Sequence, residues 1–219
     1  MCKLVKYLLI IVLISCSFYL LLTYKFKIID NGVYYIKTYK DNYLYKEGNG
    51  FVYKIDDYAY IITNYHVIND SDSVYVYLND LEIEAKVLNY DEYNDIAIIL
   101  ADSKYFNHKF KISSLTDLKD NNISVITYDK IIKGELVDKL SSINVNFDNY
   151  SKVLDLLKIS ADIREGYSGS PVLDSDNNVV GIMSMVDVDD DRFSYAIPLD
   201  IVKVNDLESV KDYKCNNSL

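Results

Sequence analysis

Cysteine and histidine are scarce in this sequence, and their scarcity limits the chemistry that it can support. Three cysteines stand at positions 2, 16 and 215, so residues 17–214 contain none and cannot form an internal disulfide. The two histidines, His66 and His108, have no ligand-like spacing. Because a zinc site needs a cluster of cysteine and histidine ligands, we expect no metal site and no cofactor.

Basic residues are too few for a protein that binds nucleic acid. The 219 residues include 23 lysines and arginines against 33 aspartates and glutamates, which gives a net charge of -10. Phosphate binding needs clustered positive charge, so nucleic acid is excluded as a partner. Hydrophobic residues make up 50% of the chain, which is enough for a sizeable core in one large domain or two small ones.

Charge is absent from one long stretch near the N-terminus. Residues 7–24 form an uncharged, largely apolar run, about long enough to cross a bilayer as a helix. We therefore predict a single-pass anchor within residues 1–27, with the folded domain on the extracytoplasmic side of the cell membrane. The alternative is lipidation at Cys16, because Leu13-Ile14-Ser15-Cys16 resembles the lipobox of bacterial lipoproteins. Either reading tethers the chain to a membrane.

From residue 28 onward the sequence changes to short segments rich in Ile, Val and Tyr, separated by Asp, Asn, Gly and Lys. Such segments recur about every 8–12 residues, which is typical of an all-β barrel or sandwich. A polar connector is predicted over residues 102–122 and an amphipathic helix over residues 199–211. The predicted strands are 50–54, 58–63, 73–78, 81–88, 96–100, 123–128, 131–137, 142–147, 154–159, 172–173, 179–184 and 193–198.

Three segments carry residues that are typical of nucleophilic catalysis. Ser168 lies in Gly-Tyr-Ser-Gly-Ser-Pro, residues 166–171, where the glycines permit a tight turn that exposes its hydroxyl. His66 follows one predicted strand, and Asp95 directly precedes another. Taken singly, each has an ordinary structural explanation: a hairpin turn, a structural histidine and a strand-edge cap.

Taken together, the three residues have a joint chemical reason. A serine hydroxyl is a poor nucleophile until an imidazole accepts its proton. A carboxylate on the other ring nitrogen holds that imidazole in one tautomer. We therefore predict a catalytic triad of His66, Asp95 and Ser168. The backbone N–H groups of Gly166 and Ser168 are predicted to form the oxyanion hole.

The segments around these residues resemble those of trypsin-like serine proteases, and most of all the HtrA/Deg branch. Residues 63–67 resemble Thr-Asn-x-His-Val, residues 95–97 match Asp-Ile-Ala, and residues 166–171 resemble Gly-Asn-Ser-Gly-Gly-Pro. Residues 50–52 resemble the opening Gly-Ser-Gly-Phe strand. The resemblance implies two six-stranded antiparallel β-barrels, over about residues 45–112 and 120–200, with the site in the cleft between them.

The same resemblance implies a serine endopeptidase that acts on polypeptides, in protein quality control or processing. Its domain would span residues 28–212, followed by a tail over residues 213–219. HtrA-type enzymes are often trimers, so a homo-oligomer is compatible, although no residue pattern here specifies one. The match departs from the family at Ser170, which replaces a glycine, and is loose over residues 115–140. Some twenty residues follow Pro198, so no PDZ domain is expected.

Substrate specificity is predicted from two groups of residues. Met183, Ser184 and Met185 are expected to line the pocket for the residue before the scissile bond, and methionines favour a medium-sized apolar side chain there. Asp162 lies six residues before Ser168, where trypsin carries the carboxylate that selects lysine or arginine. The alternative is that Asp162 faces outward and pairs with Arg164.

Two other functions compete with the protease reading. The chain can be an inactive protease-like module that binds a peptide or partner, and the loosely matched region 115–140 keeps this alternative open. An esterase of the nucleophile-elbow type is excluded. That fold needs Gly-x-Ser-x-Gly between a strand and a helix, with the order Ser, Asp, His, whereas this chain has Ser170 at the fifth position and the order His, Asp, Ser.

Overall fold

The computed structural model describes residues 31–146, 151–187 and 189–209. The predicted anchor over residues 1–27 and the predicted tail over residues 213–219 lie outside these ranges. Within them, no helix has the length and apolar character needed to cross a bilayer.

The described residues form two closed antiparallel barrels of six strands each, which confirms the predicted all-β double barrel. In the first barrel the strands neighbour each other in the order β1-β2-β3-β6-β5-β4. They are β1 (Val33–Lys40), β2 (Tyr43–Ile55), β3 (Tyr58–Thr63), β4 (Ser73–Leu78), β5 (Leu81–Asp91) and β6 (Ile96–Asp102). A short helix, α1 (Tyr65–Ile68), follows β3 directly.

The second barrel has the neighbour order β10-β11-β12-β9-β8-β7. Its strands are β7 (Asn122–Ile126), β8 (Ile131–Asn146), β9 (Ser151–Ser160), β10 (Pro171–Leu173), β11 (Val179–Val186) and β12 (Phe193–Pro198). The connector between the barrels contains two single 3-10 turns, Ser103–Tyr105 and Leu115–Asp117. Helix α2 (Ile201–Ser209) follows the second barrel and lies within the predicted range 199–211.

The first barrel begins earlier than the boundary near residue 45 that the sequence indicates. Strand β1 pairs with both β2 and β4 and thereby closes the barrel. It buries Tyr34 and Ile36, while Tyr35 and Lys37 are only half-buried. Because tyrosine occupies both kinds of position, the alternation of polar and apolar residues that identifies a half-buried strand is hidden here.

Strand β8 is one strand of 16 residues, where the sequence suggests two strands over 131–137 and 142–147. Its pairing with β9 shifts register between Leu136 and Asp138 and again between Asp138 and Ser141. The polar residues that look like a turn in the sequence therefore lie at irregularities of a continuous strand, as β-bulges do.

Hydrophobic packing joins the two barrels as well as filling each of them. One cluster of buried side chains lies within the first barrel and another within the second. A third combines both, so that Phe51 and Ile98 of the first barrel share a core with Leu156 and Ile182 of the second. Because such interiors are close-packed, side chains from the two barrels keep a fixed spacing where they meet.

Helix α2 closes over this shared core. Val204 is buried in it, and polar contacts hold the C-terminal half of the helix to the first barrel. The Tyr53 hydroxyl donates to Glu208 Oε2 at 3.0 Å, and the Asn89 amide donates to the Leu207 carbonyl at 2.8 Å. The chain that leaves the second barrel is thereby fastened to the first.

Candidate active site

His66 is presented by helix α1, whose other side is apolar. Val67 and Ile68 are buried in the core of the first barrel, and this burial turns the adjacent His66 toward the cleft between the barrels. The side chain of His66 remains 46% exposed. Tyr65 stacks on Tyr90, with ring centroids 4.7 Å apart, and this contact helps to fix the helix.

Asp95 stands at the start of β6 in a left-handed backbone conformation, with φ of 55°. Its carboxylate is held to the histidine by two hydrogen bonds. Oδ2 lies 2.8 Å from His66 Nδ1, and Oδ1 accepts from the His66 backbone N–H at 2.8 Å. This arrangement places the ring proton on Nδ1 and leaves Nε2 as an acceptor that faces the cleft.

The second barrel also contacts the segment that carries Asp95. The Ser184 hydroxyl donates to Asp95 Oδ2 at 2.9 Å. Lys152, buried on β9, donates from Nζ to the carbonyl of Glu92 at 3.2 Å and also to that of Tyr93. Burial lowers the pKa of the Lys152 ammonium, and the charge of Asp95 raises it in part. The aspartate is therefore positioned by both barrels.

Ser168 lies in a tight turn that precedes β10. Gly166 and Gly169 have φ of +89° and +86°, values that L-residues with a side chain rarely adopt. A hydrogen bond from Tyr167 N to the Arg164 carbonyl closes the turn, and one from Gly169 N to the Met183 carbonyl joins it to β11. Among the described residues, the backbone N–H groups of Gly166 and Ser168 donate to no protein acceptor. They are the two groups that the sequence predicts for the oxyanion hole.

The Ser168 hydroxyl donates to the carbonyl oxygen of Ser184 at 3.1 Å. No hydrogen bond joins Ser168 to His66 in the described part of the chain. The two side chains nevertheless line the same cleft, of about 310 Å³. The Ser168 hydroxyl must therefore give up its bond to the Ser184 carbonyl before it can donate to the imidazole.

Three of the four predicted pocket residues line the cleft, and the fourth does not. Met183, Ser184 and Met185 all line it. Asp162 does not: its side chain is 72% exposed, and its carboxylate pairs with Arg164 at 3.3 Å. The outward orientation, one of the two alternatives that the sequence left open, is the one observed. Further lining residues, which the sequence did not predict, are Glu47, Ile163, Arg164, Glu165 and Val186.

Comparison with known proteins gives the family. Residues 48–182 match the profile of the trypsin-like peptidase domain, a range that covers more than half of the chain. The chain belongs to the trypsin-like peptidase family. The prediction of a trypsin-like, HtrA-type relationship is confirmed.

Relatives of this trypsin-like peptidase are serine proteases of the HtrA type. An HtrA-like serine protease of Staphylococcus epidermidis is 30% identical in an alignment of 177 residues that covers 71% of this chain and 29% of that protein. The Do-like HtrA of Bacillus subtilis is 29% identical in an alignment of 172 residues that covers 71% of this chain and 37% of that protein. The chain thus matches about a third of the length of these relatives.

A solved structure shares the fold of this trypsin-like peptidase. The active form of the Rv3671c protease from M. tuberculosis aligns with a TM-score of 0.67 at 21% identity, over 80% of this chain and 78% of that one. At this identity the likeness establishes the double-barrel fold and does not by itself assign an activity.

Within this trypsin-like peptidase, groups beyond the predicted triad hold the site together. Ser184 was predicted as a pocket residue, but it also bonds both Asp95 and Ser168. Asn49 was not predicted at all, although it contacts the turn that carries Ser168. Two glycines flank Asn49 in the sequence. Glycines within a strand often mark a place where another backbone approaches closely, and this was the signal that the sequence offered.

Proposed function

We propose that this domain is a serine endopeptidase that cleaves peptide bonds through an acyl-enzyme. The observation that carries the proposal is the hydrogen bond of 2.8 Å between His66 Nδ1 and Asp95 Oδ2, on a histidine that shares its cleft with Ser168. Membership of the trypsin-like peptidase family supports it.

The first step is attack by Ser168 Oγ on the scissile carbonyl carbon. Before it, the hydroxyl exchanges its bond to the Ser184 carbonyl for one to His66 Nε2. The net energy of such a bond is about 1 kcal/mol, so the exchange adds little to the barrier. As the new C–O bond forms, the hydroxyl proton passes to Nε2, and the Asp95 carboxylate stabilises the resulting imidazolium.

The negative charge that develops on the carbonyl oxygen is placed at the N–H groups of Gly166 and Ser168. When the tetrahedral intermediate collapses, the C–N bond breaks and the leaving amine takes the proton from His66 Nε2. A water molecule then attacks the acyl-enzyme in the same way. It gives its proton to His66, and that proton returns to Ser168 as the carboxylic acid leaves.

We further propose that the pocket before the scissile bond takes a medium-sized apolar side chain. Met183 is buried and forms one wall, while Ile163 and Val186 contribute further apolar surface. Asp162, at the position where trypsin carries the carboxylate that selects lysine or arginine, points outward to Arg164 and does not line the cleft.

The proposed location is the extracytoplasmic side of the cell membrane, where exported polypeptides undergoing quality control or processing are available as substrates. It rests on the uncharged run of residues 7–24. One relative is named a probable periplasmic DegP-like serine endoprotease.

The tether gives a fractionation prediction. Full-length chain is expected in the membrane pellet after an alkaline carbonate wash, and a chain that begins at residue 28 is expected in the supernatant, because it lacks the apolar run. The measurement is an immunoblot of both fractions. Full-length protein in the supernatant would contradict the tether and leave the proposed chemistry standing.

A fluorophosphonate probe tests the proposed chemistry. Such a probe phosphonylates a serine only when a base and an oxyanion hole act on it, since free serine is almost unreactive. We expect the purified full chain to be labelled once, at Ser168, and the Ser168→Ala variant to remain unlabelled. Mass spectrometry of the modified peptide distinguishes Ser168 from Ser170 in the same turn. A folded wild-type chain that takes up no probe would favour the inactive binding module.

A further inference from the structure

Asn49 is a fully buried polar residue with contacts to both barrels. It lies on β2 between Gly48 and Gly50 and has 0% exposed surface. It does not line the cleft, so we expect no direct contact between Asn49 and a bound peptide. A buried amide is expected to be hydrogen-bonded. Asn49 has two of its partners in the nucleophile turn, residues 166–171, which carries Ser168.

Two hydrogen bonds run from Asn49 to that turn. Its side-chain amide Nδ2 donates to the carbonyl of Gly166 at 2.9 Å. Its backbone N–H donates to the carbonyl of Ser168 at 2.7 Å. These carbonyls belong to Gly166 and Ser168, the two residues whose N–H groups donate to no protein acceptor among the described residues. Asn49 therefore binds both residues through their carbonyls and leaves their N–H groups available.

The consequence for the oxyanion hole follows from peptide geometry. Because a peptide unit is planar, anchoring the Gly166 carbonyl fixes the plane between Gly166 and Tyr167. Gly166 also has φ of +89°, a region that glycine enters freely. The Gly166 N–H belongs to the preceding peptide unit, which joins this plane through the φ and ψ angles of Gly166. Without the Asn49 anchor the plane keeps its hydrogen bond from Tyr167 N to the Arg164 carbonyl, so we expect the Gly166 N–H to be held toward the cleft less firmly.

Asn49 is itself held on its remaining two polar groups. Its Oδ1 accepts from the backbone N–H of Tyr128 at 3.1 Å, in the turn after β7 of the second barrel. Its carbonyl accepts from the Thr63 hydroxyl at 2.7 Å, just before helix α1. The amide orientation is thus fixed: Nδ2 faces a carbonyl, and Oδ1 faces an N–H.

We propose that Asn49 is a positioning residue that holds the N–H groups of Gly166 and Ser168 toward the cleft. The proposal deepens the proposed function and rests on it. It also gives a role to the region over 115–140, where the resemblance to HtrA-type proteases is loose, since Tyr128 in that region supports the Asn49 amide.

The sharpest test is Asn49→Asp at pH 8, which keeps the shape of the side chain but replaces the Nδ2 donor with a carboxylate oxygen. Removing a whole oxyanion-hole donor costs about 10²- to 10³-fold in rate, and loosening one costs less. We expect kcat on a peptide substrate and the fluorophosphonate labelling rate to fall together by about 10- to 100-fold, with KM changed by less than about threefold.

Asn89→Asp is the matched control. Asn89 makes the same kind of bond, from a side-chain amide to a main-chain carbonyl, but its partner is Leu207 in helix α2. We expect this variant to keep the wild-type labelling rate, whatever it does to stability. Asn49→Ala, which also loses the amide, serves as the second variant if the buried carboxylate prevents folding, and we expect the same fall in rate.

A readout independent of activity separates this proposal from the proposed function. In ¹⁵N-labelled protein, the amide resonances of Gly166 and Ser168 are expected to shift or broaden in the Asn49 variants and to stay unchanged in Asn89→Asp. If those resonances move while wild type takes up no probe, the positioning role stands and the proposed chemistry fails. Unchanged resonances together with a labelling rate within twofold of wild type would overturn the proposal.

Discussion

Asp95→Asn is expected to lower kcat by about 10⁴-fold, because the amide disturbs the tautomer of the catalytic base. In the structure Asp95 Oδ2 accepts from both His66 Nδ1 and the Ser184 hydroxyl, and Oδ1 accepts from the His66 backbone N–H. An asparagine cannot accept all three hydrogen bonds. If its NH₂ group faces the ring, the histidine must carry its proton on Nε2, where it cannot accept the proton of Ser168.

The measurement is steady-state hydrolysis of a peptide substrate, with fluorophosphonate labelling as the second assay. Asp162→Asn is the control, because that carboxylate is exposed and does not line the cleft. We expect it to leave kcat/KM unchanged, also for substrates with arginine before the scissile bond. A loss of only a few fold in Asp95→Asn would mean that Asp95 does not set the tautomer of His66.

The triad is also expected to fail as a unit. Ser168→Ala alone is expected to lower kcat by about 10⁶-fold, and adding Asp95→Asn to it is expected to lower kcat little further, because the three groups act in one step. Strictly additive losses would indicate that the two residues act separately and would count against a shared mechanism.

The triad was predictable because each member lies beside a recognisable strand. The buried run of β6 begins directly after Asp95, and β3 ends three residues before His66. Strand ends in a closed barrel gather at its rims, so chemical residues at three strand ends could be expected to meet. The family resemblance added the pairing of two six-stranded barrels with the site in the cleft between them.

The supporting contacts were not predictable for a different reason. Asn49 and Gly166 are 117 residues apart, and Ser184 and Asp95 are 89 apart. Nothing in the local pattern around either pair marks the contact, since buried polar residues look like ordinary turn or strand residues in a sequence. The bond from the Ser168 hydroxyl to the Ser184 carbonyl likewise depends on a side-chain rotation that no sequence pattern encodes.

Gly169→Ala adds one methyl group, and we expect it to be more destabilising than a methyl group added elsewhere in the nucleophile turn. A Cβ at this position would lie 1.8 Å from the Asn49 carbonyl oxygen and 2.9 Å from the Thr63 hydroxyl. The nearest obstacle is backbone, which cannot rotate away as a side chain does. We expect a loss of about 4 kcal/mol or more in the free energy of unfolding, or a melting temperature lower by about 10 °C.

Gly166→Ala provides the comparison that isolates this clash. Gly166 has nearly the same φ as Gly169, yet nothing lies within 4 Å of a Cβ built on it. Its cost should therefore be the left-handed strain alone, about 1–2 kcal/mol. Thermal unfolding of both variants beside wild type gives the difference, and equal losses would show that strain dominates at both glycines.

Because the Gly169 clash displaces the carbonyl of Asn49, we expect the surviving folded fraction of Gly169→Ala also to react slowly with the fluorophosphonate probe. The absence of a side chain at Gly169 leaves room for the Asn49 backbone, and from there Asn49 donates hydrogen bonds to the carbonyls of Gly166 and Ser168.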